Sequence, residues 1–195
     1  MELKSRFYAG SVVVQQPLII SFATFMFMYF LINLSPFGLS RLVEITGGHS
    51  ILDMEMKGYS AVRAYEVIDA LGEEGRAFYI KYIVPLDFPF PLSYGLFWFT
   101  TLTLILKSTG IKLKKPWLLG LIGFCATVFD WLENLIIISL LQTYPKRNNT
   151  LANIASIFTQ LKFLFFIIIL LLIIVGMLII VLKKFLSKAP HRQIK

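Results

Sequence analysis

Charged residues, cysteine and histidine are all scarce in this chain of 195 residues. Charged side chains make up 15% of the sequence, well below the roughly one quarter that is usual in soluble domains. The single cysteine, Cys125, excludes an internal disulfide and a cysteine-based metal site. The two histidines, His49 and His191, lack the spacing of a metal-ligand pair. We therefore expect neither a metal site nor a cofactor.

Apolar side chains dominate instead, at 57% of the residues. A helical crossing of a bilayer takes about 20 residues, and four apolar runs reach that length. No small-residue cleavage site follows the first run, which we interpret as a span rather than a signal peptide. The sequence predicts an all-α fold, an integral membrane four-helix bundle formed by a single domain over residues 1–195. The predicted spans cover approximately residues 12–35, 83–106, 117–141 and 154–182.

The net charge of +8 comes from lysines and arginines in short segments that flank the spans. Eleven of them lie in the two termini and the 107–115 segment, and seven lie in the 40–81 and 142–153 segments. The positive-inside rule then predicts that both termini are cytoplasmic in a cell-membrane protein and that the other two segments face outward. This distribution is a topology signal and not a basic patch, so we expect membrane lipids as partners and no nucleic acid.

The 40–81 outer loop is too long for a simple turn and is expected to be structured. Ser60 has the residue type of a helix N-cap, and Gly72 that of a helix end. Glu73 and Glu74 suit the first turn of a further helix. We expect a short amphipathic helix that caps the bundle or lies at the outer interface. Its apolar residues at helical spacing are Val62, Tyr65, Ile68 and Leu71.

Polar side chains interrupt three of the four spans. A charge at the bilayer centre costs at least roughly 2.5–3.5 kcal/mol, so such residues usually face the bundle interior and indicate function. With a rise of about 1.5 Å per residue, the three spans place these groups in one layer in the outer half of the bilayer. Tyr94 and Trp98 share a helix face with the acid of the second span. The interrupting residues are Asp87 in the second span, Asp130, Glu133 and Asn134 on one face of the third, and Lys162 in the fourth.

Acids outnumber bases in this polar layer, with three carboxylates to one ammonium. Such a layer holds protonated acids, borrows Arg76 or Lys81 from the interface, or binds a cation. The leading hypothesis is a buried site for a small lipid-like or cationic amphiphilic molecule. Its candidate ligand-binding residues are Asp87, Tyr94, Trp98, Asp130, Glu133, Asn134 and Lys162.

A structural interpretation competes with this hypothesis. Polar groups can hold membrane helices together, Asp87 can cap the helix after Pro85, and Lys162 can extend its ammonium toward the interface. The protein would then be a non-catalytic structural or assembly subunit. A lipid isomerase-type enzyme and a proton-coupled carrier are further alternatives. Catalysis and homo-oligomer formation stay open at this point.

Four sequence pieces, taken in order, resemble a family of small, mainly bacterial four-span membrane proteins without an assigned activity. They are ALGEEGRAFY at 70–79, LDFPFPLSYGLF at 86–97, DWLEN at 130–134 and QLK at 160–162. A weaker similarity is to the EXPERA family, which includes sterol isomerases and the sigma receptor. Members of that family have a long outer loop, an acid in the second span and a carboxylate-lined cavity that takes cationic amphiphiles. The resemblance implies that Asp87 and Glu133 line such a cavity.

Overall fold

A computed structural model of the chain describes residues 2–48, 51–115 and 117–188, with side chains described within residues 16–187. His49 and His191 lie outside the described residues. Within them every regular element is helical and no β-strand occurs, which confirms the predicted all-α fold. Four helical stretches are long and apolar enough to cross a membrane, which indicates a membrane protein. They are Gln16–Ile45, Gly72–Thr109, Trp117–Thr143 and Asn149–Ser187.

Four long helices form the bundle: α1 (Glu2–Leu34), α6 (Pro89–Thr109), α7 (Trp117–Thr143) and α8 (Asn149–Lys188). Helix α7 packs along both α6 and α8, and α1 packs along α6. Helix α8 has 40 residues and is about 60 Å long at 1.5 Å per residue. It is therefore longer than a bilayer is thick.

The helical stretch of the second candidate span begins at Gly72, where Glu73 and Glu74 predicted the first turn of a helix, and it extends beyond the predicted span of residues 83–106. Helix α4 (Gly72–Phe78) continues through a π-helical turn (Tyr79–Ile83) and α5 (Val84–Asp87) into α6. This stretch contains the charged residues Glu73, Glu74, Arg76 and Lys81. Such residues are compatible with a helix that extends above the membrane surface before it enters the apolar region.

The remaining short elements are α2 (Leu39–Ile45), a 3-10 turn (Leu52–Met54) and α3 (Ala61–Ala70). We call residues 46–71, which connect the first two candidate spans, the outer segment, after the side of the membrane predicted for them from the sequence. The hydroxyl of Ser60 accepts a hydrogen bond from the N–H of Arg63 at 3.2 Å, as expected of an N-cap. Gly72, with a φ of 61°, separates α3 from α4 in the left-handed region, where glycine is favoured.

Helix α3 covers one end of the bundle with its apolar face. Ala64, Tyr65 and Ile68 are almost fully buried, and Ala61 is largely buried. Val62 was predicted on this face, but it is 69% exposed. The buried face of α3 is centred on Ala64 and Ile68, and Val62 lies on the opposite side of the helix.

Small residues bring α6 and α7 close together. Gly120, Gly123, Ala126 and Thr127 are all buried, as expected for a stripe that faces the bundle. A Cβ atom added to Gly123 would lie 2.8 Å from the backbone nitrogen of Phe99. The two backbones therefore approach too closely at this point for any side chain.

Candidate functional site

The polar face of α7 binds a proline-rich stretch of the second span. Pro91 has no N–H, so the carbonyl of Asp87 has no donor four residues further along its own helix. Side chains of α7 supply hydrogen bonds to carbonyls in this stretch, which is how membrane helices tolerate proline. Three such bonds form: Asn134 Nδ2 to Asp87 O at 3.3 Å, Trp131 Nε1 to Phe88 O at 2.9 Å, and Thr127 Oγ1 to Pro91 O at 2.7 Å.

Asp130 lies at the centre of the polar layer and is only 3% exposed. The phenol of Tyr94 on α6 donates a hydrogen bond to its Oδ2 at 2.8 Å. The amide of Asn134, one turn further along α7, donates to its Oδ1 at 3.3 Å. Two of the predicted partners on α6 and α7 thus converge on this carboxylate.

Lys162 of α8 is 2% exposed and places its ammonium among three carboxylates. Its Nζ lies 3.0 Å from Glu133 Oε2 and 3.7 Å from Asp130 Oδ1. The third partner is Asp53, which the ammonium contacts most closely. The interpretation that Lys162 extends toward the interface is therefore wrong, because its ammonium has charged partners inside the bundle.

Asp53 was not among the candidates from the sequence. It lies in the 3-10 turn of the outer segment, and the search for buried charge covered only the apolar runs. One signal was present: Asp53 follows Ile51 and Leu52, two apolar residues that are both buried. A short apolar stretch outside the predicted spans indicates a segment that packs against the bundle, and Asp53 directly follows such a stretch.

Arg76 and Lys81, proposed as additional bases for the layer, lie elsewhere. Arg76 donates a hydrogen bond to the carbonyl of Ile68, and its guanidinium carbon is 4.1 Å from the ring centre of Tyr144. Lys81 lies over the ring of Tyr82. With Asp53 included, the polar layer has four acids, and Lys162 forms ion pairs with three of them, Asp53, Asp130 and Glu133. The excess of acid is therefore larger than the sequence indicated.

Glu133 and the outer segment are both anchored on α8. The hydroxyl of Thr159 donates to Glu133 Oε1 at 2.5 Å, and Glu133 is completely buried. In the outer segment, the N–H of Tyr59 donates to Ser156 Oγ at 2.7 Å. Burial raises the pKa of the Tyr59 phenol above its ordinary value, so this side chain stays protonated at physiological pH. The outer segment thus reaches the polar layer through contacts with one side of α8.

An aromatic cleft of about 300 Å³ lies beside the polar layer. Its walls are almost entirely apolar, and Asp53, Asp130 and Lys162 contribute charged side chains to its lining. Helix α1 packs on α6, and α8 packs on α6 and α7, whereas the described parts of α1 and α8 scarcely touch each other. The cleft therefore lies in the gap between α1 and α8. Its apolar lining consists of Phe25, Tyr29, Met54, Phe90, Tyr94, Trp98, Phe163 and Phe166.

The seven candidate residues fall into two groups. Tyr94, Trp98, Asp130 and Lys162 line the aromatic cleft. The other three, Asp87, Glu133 and Asn134, are buried but do not belong to its lining, which differs from the arrangement implied by the EXPERA resemblance. Helical periodicity predicted that all seven residues face the interior of the bundle, but it did not predict which of them line the aromatic cleft.

Three of the acids are close enough together to ligate a metal ion. Oxygen atoms of Asp53, Asp130 and Glu133 all lie within 4.8 Å of one another. The Lys162 ammonium contacts all three, however, and so supplies a cation to this group. A metal ion would have to displace it.

Comparisons of this chain with family models, curated proteins and solved structures find no match. The interpretation of the site therefore depends on its geometry.

Proposed function

We propose that the protein binds a small amphiphile with a cationic head group in the aromatic cleft, within the membrane. The observation that supports this most strongly is the position of Asp130. It lines the cleft, yet its Oδ1 is 3.7 Å from the Lys162 ammonium, beyond hydrogen-bonding distance. Asp53 also lines the cleft but is in close contact with the same ammonium. Asp130 is thus the acid of the cleft whose charge Lys162 offsets less closely, and its two hydrogen-bond donors, Tyr94 and Asn134, are neutral and add no positive charge.

The acid excess supports a positive rather than a negative head group. An added ammonium next to Asp130 would offset part of the unbalanced charge among the four acids. An anionic head group would meet two acids, Asp53 and Asp130, and one base, Lys162, at the cleft, so repulsion would outweigh attraction. Aromatic rings around the cleft favour a cation further, because the face of a ring attracts a positive charge.

The size and position of the cleft support a lipid-like molecule. A volume of about 300 Å³ is at the lower limit of the roughly 300–1,000 Å³ of small-molecule sites. It accommodates a head group and the first part of a chain. The rest of an alkyl chain would extend through the gap between α1 and α8, where these helices scarcely touch.

The proposal is tested with three twelve-carbon probes: dodecylamine, dodecanol and dodecanoate. Binding to the protein in phosphatidylcholine nanodiscs is measured by native mass spectrometry. We expect dodecylamine to bind at least about tenfold more tightly than dodecanol, which corresponds to about 1.4 kcal/mol. Dodecanoate should bind most weakly. Equal binding of the amine and the alcohol would refute a site for cationic head groups.

Two variants locate the binding site. Asp130→Asn should remove the preference for the amine, because its carboxylate supplies the negative charge. Phe166→Ala should weaken binding of all three probes, because this ring lines the cleft. Phe165→Ala is the matched control, since the neighbouring ring packs on Phe129 with their centres 5.6 Å apart and does not line the cleft. A loss of binding in Phe165→Ala equal to that in Phe166→Ala would indicate a general packing effect.

A structural role in assembly is the second candidate function. It is favoured by Asn134, Trp131 and Thr127, which bind backbone carbonyls of the second span. In that case none of the three probes would bind selectively. Asp130→Asn would change the free energy of unfolding and leave the weak, non-selective association of the probes unchanged.

We further propose that both termini are cytoplasmic and that the protein resides in the cell membrane. The support is the excess of lysine and arginine in the termini and the 107–115 segment. Cys125 is the only cysteine, so a Cys125→Ser background permits single-cysteine labelling. A membrane-impermeant maleimide should label Lys57→Cys but not Lys114→Cys in intact cells. The reverse pattern would refute this orientation.

A further inference from the structure

The end of the bundle opposite the outer segment is strongly basic. Apart from Glu2, every acidic residue of the chain lies between Glu44 and Glu133, in the outer part of the protein or in the polar layer. We call residues 107–115 together with Lys183 and Lys184 the basic end. It contains six lysines and no acidic residue.

The lysines of the basic end are not equivalent. Lys183 donates a hydrogen bond to the carbonyl of Thr109 at 2.5 Å and so stabilises the end of α6. Lys114 and Lys115 are exposed, and neither forms an ion pair within the described residues. These two ammonium groups are therefore available to an anion.

An open cleft of about 530 Å³ lies directly beside these two lysines. Lys114 and Lys115 contribute to its lining, and the remaining residues are aliphatic. Among them, Leu113 is 48% exposed and Leu118 is 50% exposed. Positive charge and exposed apolar surface thus meet at the start of α7. The aliphatic lining consists of Leu113, Leu118, Leu119 and Ile122.

We propose that this cleft binds one anionic phospholipid, with its phosphate on Lys114 and Lys115 and an acyl chain along Leu118 and Ile122. The lysines complement the charge of the head group, as in other basic sites at the ends of membrane helices. The N-terminus of α7 adds a partial positive charge at the same place. The proposal is independent of the amphiphile site, because the two clefts share no lining residue.

The exposed apolar residues favour a lipid over other anions. Ile111 and Trp117 are 46% and 47% exposed and flank the lysines in sequence. A nucleic acid would contact the ammonium groups and leave these side chains in water. A phospholipid covers them with its glycerol and acyl groups, and tryptophan is enriched at this depth of a bilayer.

The test is lipid retention in native mass spectrometry. Protein is released from bilayers with equal amounts of phosphatidylglycerol and phosphatidylcholine, and bound lipids are counted. We expect one phosphatidylglycerol to be retained preferentially. In the Lys114→Gln/Lys115→Gln variant, the preference for phosphatidylglycerol should fall about 30-fold, because each lysine near the surface contributes about fivefold. Leu118→Asn should reduce retention of both lipids, because the acyl contact is weakened.

The matched control is Lys57→Gln/Lys146→Gln, which removes two exposed lysines outside the basic end. It should retain phosphatidylglycerol like the unmodified protein. Equal loss in both double variants would overturn the assignment of a specific site, as would unchanged retention in Lys114→Gln/Lys115→Gln. Stronger competition by an RNA oligonucleotide than by phosphatidylglycerol would overturn the choice of a lipid.

Discussion

Replacement of Lys162 by methionine tests the buried charge cluster directly. Methionine is also a long, unbranched side chain, but it removes the ammonium that contacts Asp53, Asp130 and Glu133. We expect the free energy of unfolding to fall by about 3–5 kcal/mol, the usual result of leaving a buried partner charge uncompensated. The measurement is reversible denaturation with sodium dodecyl sulfate in mixed micelles, followed by circular dichroism.

The magnitude follows from the distances. At an effective dielectric constant of about 20, the contacts of Lys162 at 3.0 Å with Glu133 and 3.7 Å with Asp130 correspond to about 5.5 and about 4.5 kcal/mol of attraction. Burial of each ion costs several kcal/mol and offsets much of this gain. Without the ammonium, ionised carboxylates no more than 4.8 Å apart would repel by about 3.5 kcal/mol for each pair.

A double-mutant cycle separates this effect from loss of packing. Glu133→Gln removes one of the charges that Lys162 offsets, so Lys162→Met should cost less in that background, by about 1–3 kcal/mol. Lys57→Met, at an exposed position, serves as the control and should change stability by no more than about 0.5 kcal/mol. The reasoning is refuted if Lys162→Met is as stable as Lys57→Met. It is also refuted if the effects of Lys162→Met and Glu133→Gln on the free energy of unfolding are simply additive.

Three further predictions concern stability, measured in the same denaturation assay. Asn134→Leu should cost about 1–3 kcal/mol, because the carbonyl of Asp87 loses the side-chain donor that compensates for Pro91. Gly123→Ala should cost about 1–3 kcal/mol, because its Cβ would lie 2.8 Å from the backbone of α6. Ser60→Ala should cost about 1 kcal/mol through loss of the N-cap of α3.

Each of these variants has a matched control. Leu135→Ile is the control for Asn134→Leu, and Val128→Ala is the control for Gly123→Ala. Both controls change exposed positions of α7 and should lower the free energy of unfolding less than the variants they accompany. Ser108→Ala removes a hydroxyl whose hydrogen bond among the described residues is to the carbonyl of Leu104 in its own helix, and it should cost less than Ser60→Ala. Losses of equal size in variant and control would contradict the contact assigned to that variant.

Much of the fold followed from local sequence signals. Apolar runs of sufficient length predicted four helices that are long and apolar enough to span a membrane. Helical spacing placed Asp130, Glu133 and Asn134 on one buried face. The residue types at Ser60 and Gly72 marked the two ends of α3 correctly. These features depend on residues within a few turns of one another, which is the range over which a sequence pattern is informative.

The missed features depend on contacts between distant residues. Asp53 and Lys162 are 109 positions apart, and nothing near Asp53 specifies which helix it meets. The division of the seven candidates between cleft and interior also depends on how far α1 and α8 are separated. Periodicity predicts which face of a helix is buried, but it does not predict where a cleft remains between two helices.

The contact between Asp53 and Lys162 has a consequence for how the protein is made. In the two-stage view of membrane protein folding, helices insert first and associate afterwards. Lys162 and Glu133 belong to spans that can pair in the bilayer, whereas Asp53 arrives with a segment outside the spans. If the four candidate spans follow this order, the cleft acquires its full set of charges only when this segment docks on α8. We therefore expect the site to be completed by a step at the membrane surface, after the spans have inserted.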